Sequence, residues 1–233
     1  MASHWNELET RFTRLEPQLI NGPEKEAVSI LHALILASRQ DGSGQPTSPD
    51  LSRSFEQVAN LYKTAPAMDG PAQNPGLPVG VQAPDFSLPD ASGKRVRLSD
   101  YAGQPVVLVF YPLDWSPACS DQLSLYQSEL DTFGRLHTAL LAISVDSLYS
   151  HGAWAAVRGI TFPLLSDFQP HGEVARRYQV YRPGNGFSER ALYVIDPAGV
   201  IHYRHVAPRL PEIPDIGELF AALKALQPGE TAP

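Results

Sequence analysis

Apolar positions along this chain follow two periods, and the change from one to the other marks its organisation. Trp5, Leu8, Phe12 and Leu15 recur at helical spacing, with Glu and Arg between them. Asn21-Gly22-Pro23 breaks that pattern. Ala27, Val28, Ile30, Leu31, Leu34, Ile35 and Leu36 then predict a second helix, apolar over most of its circumference. Leu51, Phe55, Val58, Leu61 and Tyr62 predict a third, shorter one. Residues 1–63 thus read as a helical unit, suited to packing or to an oligomer contact such as a homodimer. The stretch 64–78, rich in Pro, Gly and Ala, reads as a linker of low structural content.

From Val79 the period shortens. Phe86-Ser87-Leu88 and Val96-Arg97-Leu98 flank an Asp90–Gly93 turn signal, and Ala191–Ile195 and Val200–Val206 flank a second one at Asp196–Gly199. Val106–Tyr111 is an unbroken apolar run, which predicts a strand covered on both faces; Pro112 ends it. Beyond the turn, Cys119, Gln122, Leu123, Tyr126, Leu130 and Phe133 fall at helical spacing. Thr138–Val145 and Phe162–Leu165 predict further strands. Ser147–Arg158, His171–Tyr178 and Ile213–Leu226 predict helices. Strands alternating with helices give an α/β sheet covered on both faces over residues 79–227, and 228–233 read as a flexible tail.

Composition narrows the function. Hydrophobic residues are 43% and charged residues 18% of the 233, enough for a core. The net charge of −7 comes without a Lys/Arg block, which disfavours nucleic acid and anionic membranes as partners. No apolar run is long enough to span a bilayer, and the first residues lack an apolar signal core; both predict a cytoplasmic protein. The seven His residues lack acidic or cysteine neighbours at ligand spacing, so no metal site and no cofactor are expected. Gly-rich nucleotide loops and the Gly-x-Ser-x-Gly elbow are missing.

Cys119 is the only cysteine, so an intrachain disulfide is impossible. It falls at the start of the helix that follows the central strand. First-turn amides and the helix dipole favour negative charge there, and the thiolate is the reactive form of a cysteine. Ser116, three residues earlier, either caps the helix or offers its hydroxyl to a ligand beside the sulfur.

These residues carry a family resemblance. Pro112, then three residues, Ser116, two residues and Cys119 resemble the motif around the peroxide-reacting cysteine of the peroxiredoxins, the alkyl hydroperoxide reductase and thiol-specific antioxidant family. Arg190 in ERALYVIDPAGVI resembles the family arginine that opens a later strand. VDSLYSHGAWAAVRGITFPLLSD resembles the segment between them. The likeness covers about residues 79–226 and fits a one-cysteine type similar to the bacterioferritin comigratory protein subgroup. It implies a thioredoxin-like fold with an added N-terminal helical unit. It also implies a thiol-dependent peroxidase acting on hydrogen peroxide or organic hydroperoxides. The expected catalytic set is Cys119 as nucleophile, Arg190 as fixed cation, Ser116 as hydrogen-bonding hydroxyl and Pro112 as cover. The sulfenic acid formed would be reduced by an external thiol: thioredoxin, a glutaredoxin-like protein or a small thiol.

Two positions depart from the pattern. Ser116 stands where Thr is common, and Gln122 where many members carry Glu. Each residue also has an ordinary alternative. Arg190 also reads as one half of an ion pair with Glu189, Asp167 or Asp196, Ser116 as a helix cap, Pro112 as a strand terminator, and Gln122 as a residue of the helix surface or just behind the site. A thioredoxin-type disulfide exchanger is disfavoured, because Ser116 occupies the first place of a Cys-x-x-Cys motif. A redox-sensing or inactive interaction module on the same fold is the remaining alternative.

Overall fold

The computed structural model describes residues 69–226, within the second of two units into which the chain divides, Met68–Pro233. The helices expected within 1–63, the first residues of the linker and the tail at 228–233 lie outside the described residues.

The chain enters through a hairpin of β1 (Ser87–Pro89) and β2 (Arg95–Arg97). Asp90 shapes its turn by accepting from the backbone of Ser92 and Lys94. Then follow β3 (Val106–Phe110), α1 (Pro117–Ser128), α2 (Leu130–Arg135) and β4 (Ala139–Ser144). Next come α3 (Leu148–Arg158), β5 (Leu164–Ser166) and α4 (Glu173–Arg177). A short hairpin of β6 (Tyr181–Arg182) and β7 (Phe187–Ser188) precedes β8 (Ala191–Ile195), β9 (Ile201–Val206) and α5 (Ile216–Lys224).

Among the described residues, β5-β4-β3-β8-β9 form one mixed sheet. β3 lies at its centre, parallel to β4 and antiparallel to β8. Its alternate residues feed two separate cores, as strand geometry requires. Val106, Leu108 and Phe110 pack with the β1–β2 hairpin, α4 and Tyr178. Val107 and Val109 pack on the other face with Cys119, Leu123 and Tyr126 of α1, Trp154 of α3, and Leu219 and Leu223 of α5. All five residues of β3 are buried, as the unbroken apolar run predicts.

One local reading is corrected. The helix expected from Cys119 through Phe133 breaks at Glu129, whose backbone leaves the helical region (φ −104°, ψ 10°). Ser128 Oγ donates back to Leu125 O at 2.7 Å, and the Glu129 carboxylate accepts from the hydroxyl of Thr132 at the start of α2. The residues 69–78 contain no helix or strand of their own, but they are tied to the domain rather than loose. Gly76 N and Leu77 N donate to the carbonyls of Gln179 and Tyr178, and Ala72 N donates to Pro208 O.

Candidate active site

The residues singled out in the sequence meet at the end of β3. Pro112 is buried directly after the strand. The loop then passes through Asp114 and Trp115 into α1. Ser116 is the N-cap of α1, and Cys119 lies in its first turn, among amides that have no partner four residues back. Arg190 immediately precedes β8, the neighbour of β3, so sheet pairing carries it to the same end. Its Nη2 donates to Cys119 Sγ at 3.4 Å. Both side chains are essentially excluded from solvent, Cys119 at 0% and Arg190 at 1% exposure.

The ordinary alternatives for Arg190 and Ser116 do not describe what these two residues touch. Glu189 pairs with Arg182, Nη1 to Oε2 at 2.7 Å. Asp167 accepts from the amides of Val174 and Ala175 at the start of α4. Asp196 accepts from the amides of its own turn. Arg190 instead donates Nε to Leu210 O at 2.8 Å and Nη1 to Gln122 Oε1, and among the described residues no carboxylate pairs with it. Ser116 does not cap with its side chain. Its Oγ is buried without a hydrogen-bond partner among the described residues, while its carbonyl accepts from Ser120 N. By contrast, the N-cap residues Ser147 and Asp215 cap α3 and α5 through their side chains. A buried hydroxyl left open one turn from the sulfur is suited to a bound oxygen atom.

Gln122 is fully buried and belongs to this cluster, whereas its sequence context suggested the helix surface or the layer behind the site. Sequence reasoning also missed the polar network that holds the loop. Asp114 accepts from Tyr111 Oη at 2.8 Å and from Ser150 Oγ at 2.7 Å, and its Oδ2 lies 3.0 Å from His151 Nδ1. Ser150 Oγ in turn accepts from Trp115 Nε1 at 3.1 Å. Asp146 Oδ2 accepts from Asp114 N at 2.9 Å and from Ser144 Oγ at 2.7 Å. These bonds fasten the loop to the start of α3 and hold Trp115 in the left-handed region, φ +62°, which costs a non-glycine residue roughly 1–2 kcal/mol. Partners 32 to 37 residues apart leave no local signal in a sequence.

Burial, and then the neighbouring Asp114 carboxylate, push Asp146 above the ordinary carboxylate range. A carboxyl whose folded-state pKa is raised holds its proton more tightly in the folded protein. Its contribution to stability is complete at low pH and is lost as pH rises through the raised value. Asp146→Asn keeps an oxygen acceptor for Asp114 N. Its stability relative to the parent protein is therefore expected to improve as pH rises above about 4, the ordinary carboxylate value, and to level off once the raised value is passed. Urea melts across that interval measure the difference; a flat difference would place the raised carboxyl elsewhere.

A cavity of about 220 Å³ opens between Val106, Tyr101 and Asp196, at the start of β3 and the end of β8. It lies at the opposite end of these strands from Cys119 and holds none of the site residues.

Comparison with known proteins agrees with this geometry. The chain is 41% identical over 128 residues to alkyl hydroperoxide reductase E of Mycobacterium tuberculosis, covering 54% of this chain and 84% of that protein. It is 34% identical over 163 residues to a putative peroxiredoxin in the rubredoxin operon of Clostridium pasteurianum, covering 65% and 90%. The solved structure of peroxidoxin BcpB from M. tuberculosis superposes with a TM-score of 0.58 at 28% identity, over 64% of this chain and 97% of that one. The reduced 2-Cys peroxiredoxin of Plasmodium vivax gives 0.59 at 29% identity, over 64% and 81%. The fold is therefore thioredoxin-like, as expected, and the AhpC/TSA family pattern matches residues 79–204. With that pattern spanning more than half of its length, and with the paired Cys119 and Arg190 inside it, the chain belongs to the AhpC/TSA family.

Proposed function

We propose that Cys119 is the nucleophile, Arg190 the fixed cation, Ser116 the hydrogen-bonding hydroxyl and Pro112 the cover of a peroxide-reducing site. The protein is a thiol-dependent peroxidase, an oxidoreductase of the peroxiredoxin family. The observation that carries the residue assignment is the 3.4 Å contact between Arg190 Nη2 and Cys119 Sγ, made by a guanidinium without a carboxylate partner among the described residues.

The step balances simply. The Cys119 thiolate attacks one oxygen of the peroxide, an S–O bond forms and the O–O bond breaks. Sulfur is oxidised by two electrons, and the leaving oxygen departs as alkoxide or hydroxide and takes up a proton. Arg190 and the first-turn amides face negative charge as it moves from sulfur to the leaving oxygen. Ser116 Oγ, which has no bond to lose, is free to hold the peroxide. Burial of Pro112 and of the sulfur keeps bulk water away. An external thiol condenses with the Cys119 sulfenic acid, releasing water and leaving a mixed disulfide; a second thiol group then attacks the partner's sulfur, freeing Cys119 as thiol and leaving the two external sulfurs joined as a disulfide.

A sealed sulfur makes hydrogen peroxide the first substrate to test, since the smallest peroxide needs the least opening. Treating the protein with one equivalent of hydrogen peroxide and trapping with a dione is expected to label Cys119, read by mass spectrometry. Recovery of unoxidised, unlabelled Cys119 would overturn the assignment. Ser116→Ala is expected to slow the oxidation about tenfold, the worth of one hydrogen bond, with melting temperature unchanged. The sensing or inactive module gains nothing from the structure. Gln122, a departure from the family pattern, accepts a hydrogen bond from Arg190.

A further inference from the structure

We propose that the cavity at the far end of β3 and β8 is a second binding site, one that takes a small organic cation with an apolar body. It shares no residue with the Cys119 site and does not depend on the peroxidase reading. Three segments wall the cavity: residues 82–85, the stretch from Leu98 to Gln104, and the Asp196–Gly199 turn. Each is hydrogen-bonded to the next. Ala83 N donates to Gly199 O at 2.9 Å, Ser99 N to Asp85 Oδ1 at 3.0 Å, and Gly103 N to Pro197 O at 3.0 Å. Gln82 Nε2 adds a bond to Ala198 O at 3.3 Å. Gly199 allows this crossing, because a Cβ there would collide with Gln82 Nε2. The bonds close a ring around the opening, so little ordering is left for a ligand to impose. The floor is the core itself: Leu98, Val106 and Ile195 are buried, and the last two are paired across β3 and β8.

The walls select the ligand. Two carboxylates line the cavity, Asp85 and Asp196, and no Lys or Arg does. Each carboxylate commits one oxygen to backbone amides, Asp85 to Ser99 and Asp196 to Ala198 and Val200. The second oxygen of each has no hydrogen-bond partner among the described residues. Arg177 reaches the backbone carbonyl of Asp85, and its charge faces Glu173. The Tyr101 phenol is raised above its ordinary range by burial and then by the carboxylates of Asp100 and Asp90, so it keeps its proton to donate. An anion would therefore meet two like charges. A bare metal ion would find an apolar floor, and no three His, Cys, Asp or Glu side chains gather to hold one among the described residues. A ring or short hydrocarbon on the floor, carrying an ammonium toward the carboxylates, satisfies both surfaces. The cavity of about 220 Å³ is smaller than a drug-sized pocket and suits a molecule of about ten non-hydrogen atoms.

Phenethylammonium is the probe, titrated into the isotope-labelled full chain while backbone amide shifts are followed by NMR. The amides of Ser99, Gly103 and Gly199 are expected to move together, with a dissociation constant of about 1 mM or tighter for a ligand of this size. Hydrocinnamate has the same ring and similar reach with the opposite charge, and it is expected to bind at least about tenfold more weakly. Asp85→Asn keeps the acceptor for Ser99 N and removes one charge. It should weaken phenethylammonium about threefold and leave phenethyl alcohol, the neutral analogue, unchanged. Amides that stay still up to about 10 mM phenethylammonium would overturn the proposal, as would shifts centred away from the cavity. Equal affinity for phenethylammonium and hydrocinnamate would overturn it too. The probes are compared on the parent protein, so that comparison decides the matter even if Asp85→Asn fails to fold. Peroxide takes no part in the titration, so failure of the peroxidase reading and failure of this one are separate results.

Discussion

Cys119→Ser is expected to lose peroxide reduction by at least about a thousandfold, down to the uncatalysed background. A serine hydroxyl stays protonated at neutral pH and has no accessible sulfenic state, so both the nucleophile and the two-electron acceptor vanish together. The chain has no other cysteine to take over. The fold should survive, because the smaller oxygen replaces sulfur at a site where Arg190 Nη2 can still donate. The measurement is stopped-flow fluorescence after mixing with hydrogen peroxide. Trp115, four residues before the sulfur and bonded to Ser150, is placed to report oxidation. A fast phase that persisted in the variant would remove Cys119 from the chemistry.

The largest expected loss of stability is at Glu189→Ala. Glu189 is 1% exposed and its partner Arg182 is 2% exposed. One carboxylate oxygen accepts from Arg182 Nη1 at 2.7 Å. The other accepts from Gln73 N at 2.8 Å, Asn74 N at 3.1 Å and Asn74 Nδ2 at 3.0 Å. Removing one partner of a buried pair costs about 3–5 kcal/mol, because the other charge stays buried and unanswered. Among the described residues, Arg182 would keep only neutral acceptors, Asn185 Oδ1 and Pro71 O. For a domain of this size the change corresponds to a fall in melting temperature of about 10 °C. Calorimetry of the full chain measures it. A fall of no more than about 2 °C would mean that water reaches Arg182.

The sequence shows elements where the signal is local and loses them where it is not. Val106–Tyr111 announces a doubly covered strand because an unbroken apolar run has no face to give to water. The turns at Asp90 and Asp196 are legible because each aspartate caps its own backbone within four residues. Cys119 and Arg190, 71 residues apart, come together only through the pairing of β3 with β8, and family likeness rather than spacing linked them beforehand. The β6–β7 hairpin has two residues in each strand, too few to show alternation. Glu189 was an open candidate for Arg190 because adjacency in sequence suggests a pair. In an extended chain neighbouring side chains point to opposite sides, and Glu189 turns to Arg182 instead. Gln122 reads as peripheral because one polar residue among helix positions does not announce that a buried guanidinium awaits it.

The fastening of residues 69–77 bears on where this protein can be shortened. A fragment beginning at Val79 would look complete by its strands and helices. It would nevertheless strip three of the four donors from the Glu189 carboxylate and leave the carbonyls of Tyr178, Gln179 and Pro208 without the amides that now reach them. Asp69, which clasps Arg209 at 2.6 Å, makes the first of these ties among the described residues. A run of Pro, Gly and Asn without helix or strand therefore belongs to the folded piece, and trimming to the first strand would yield a weakened protein.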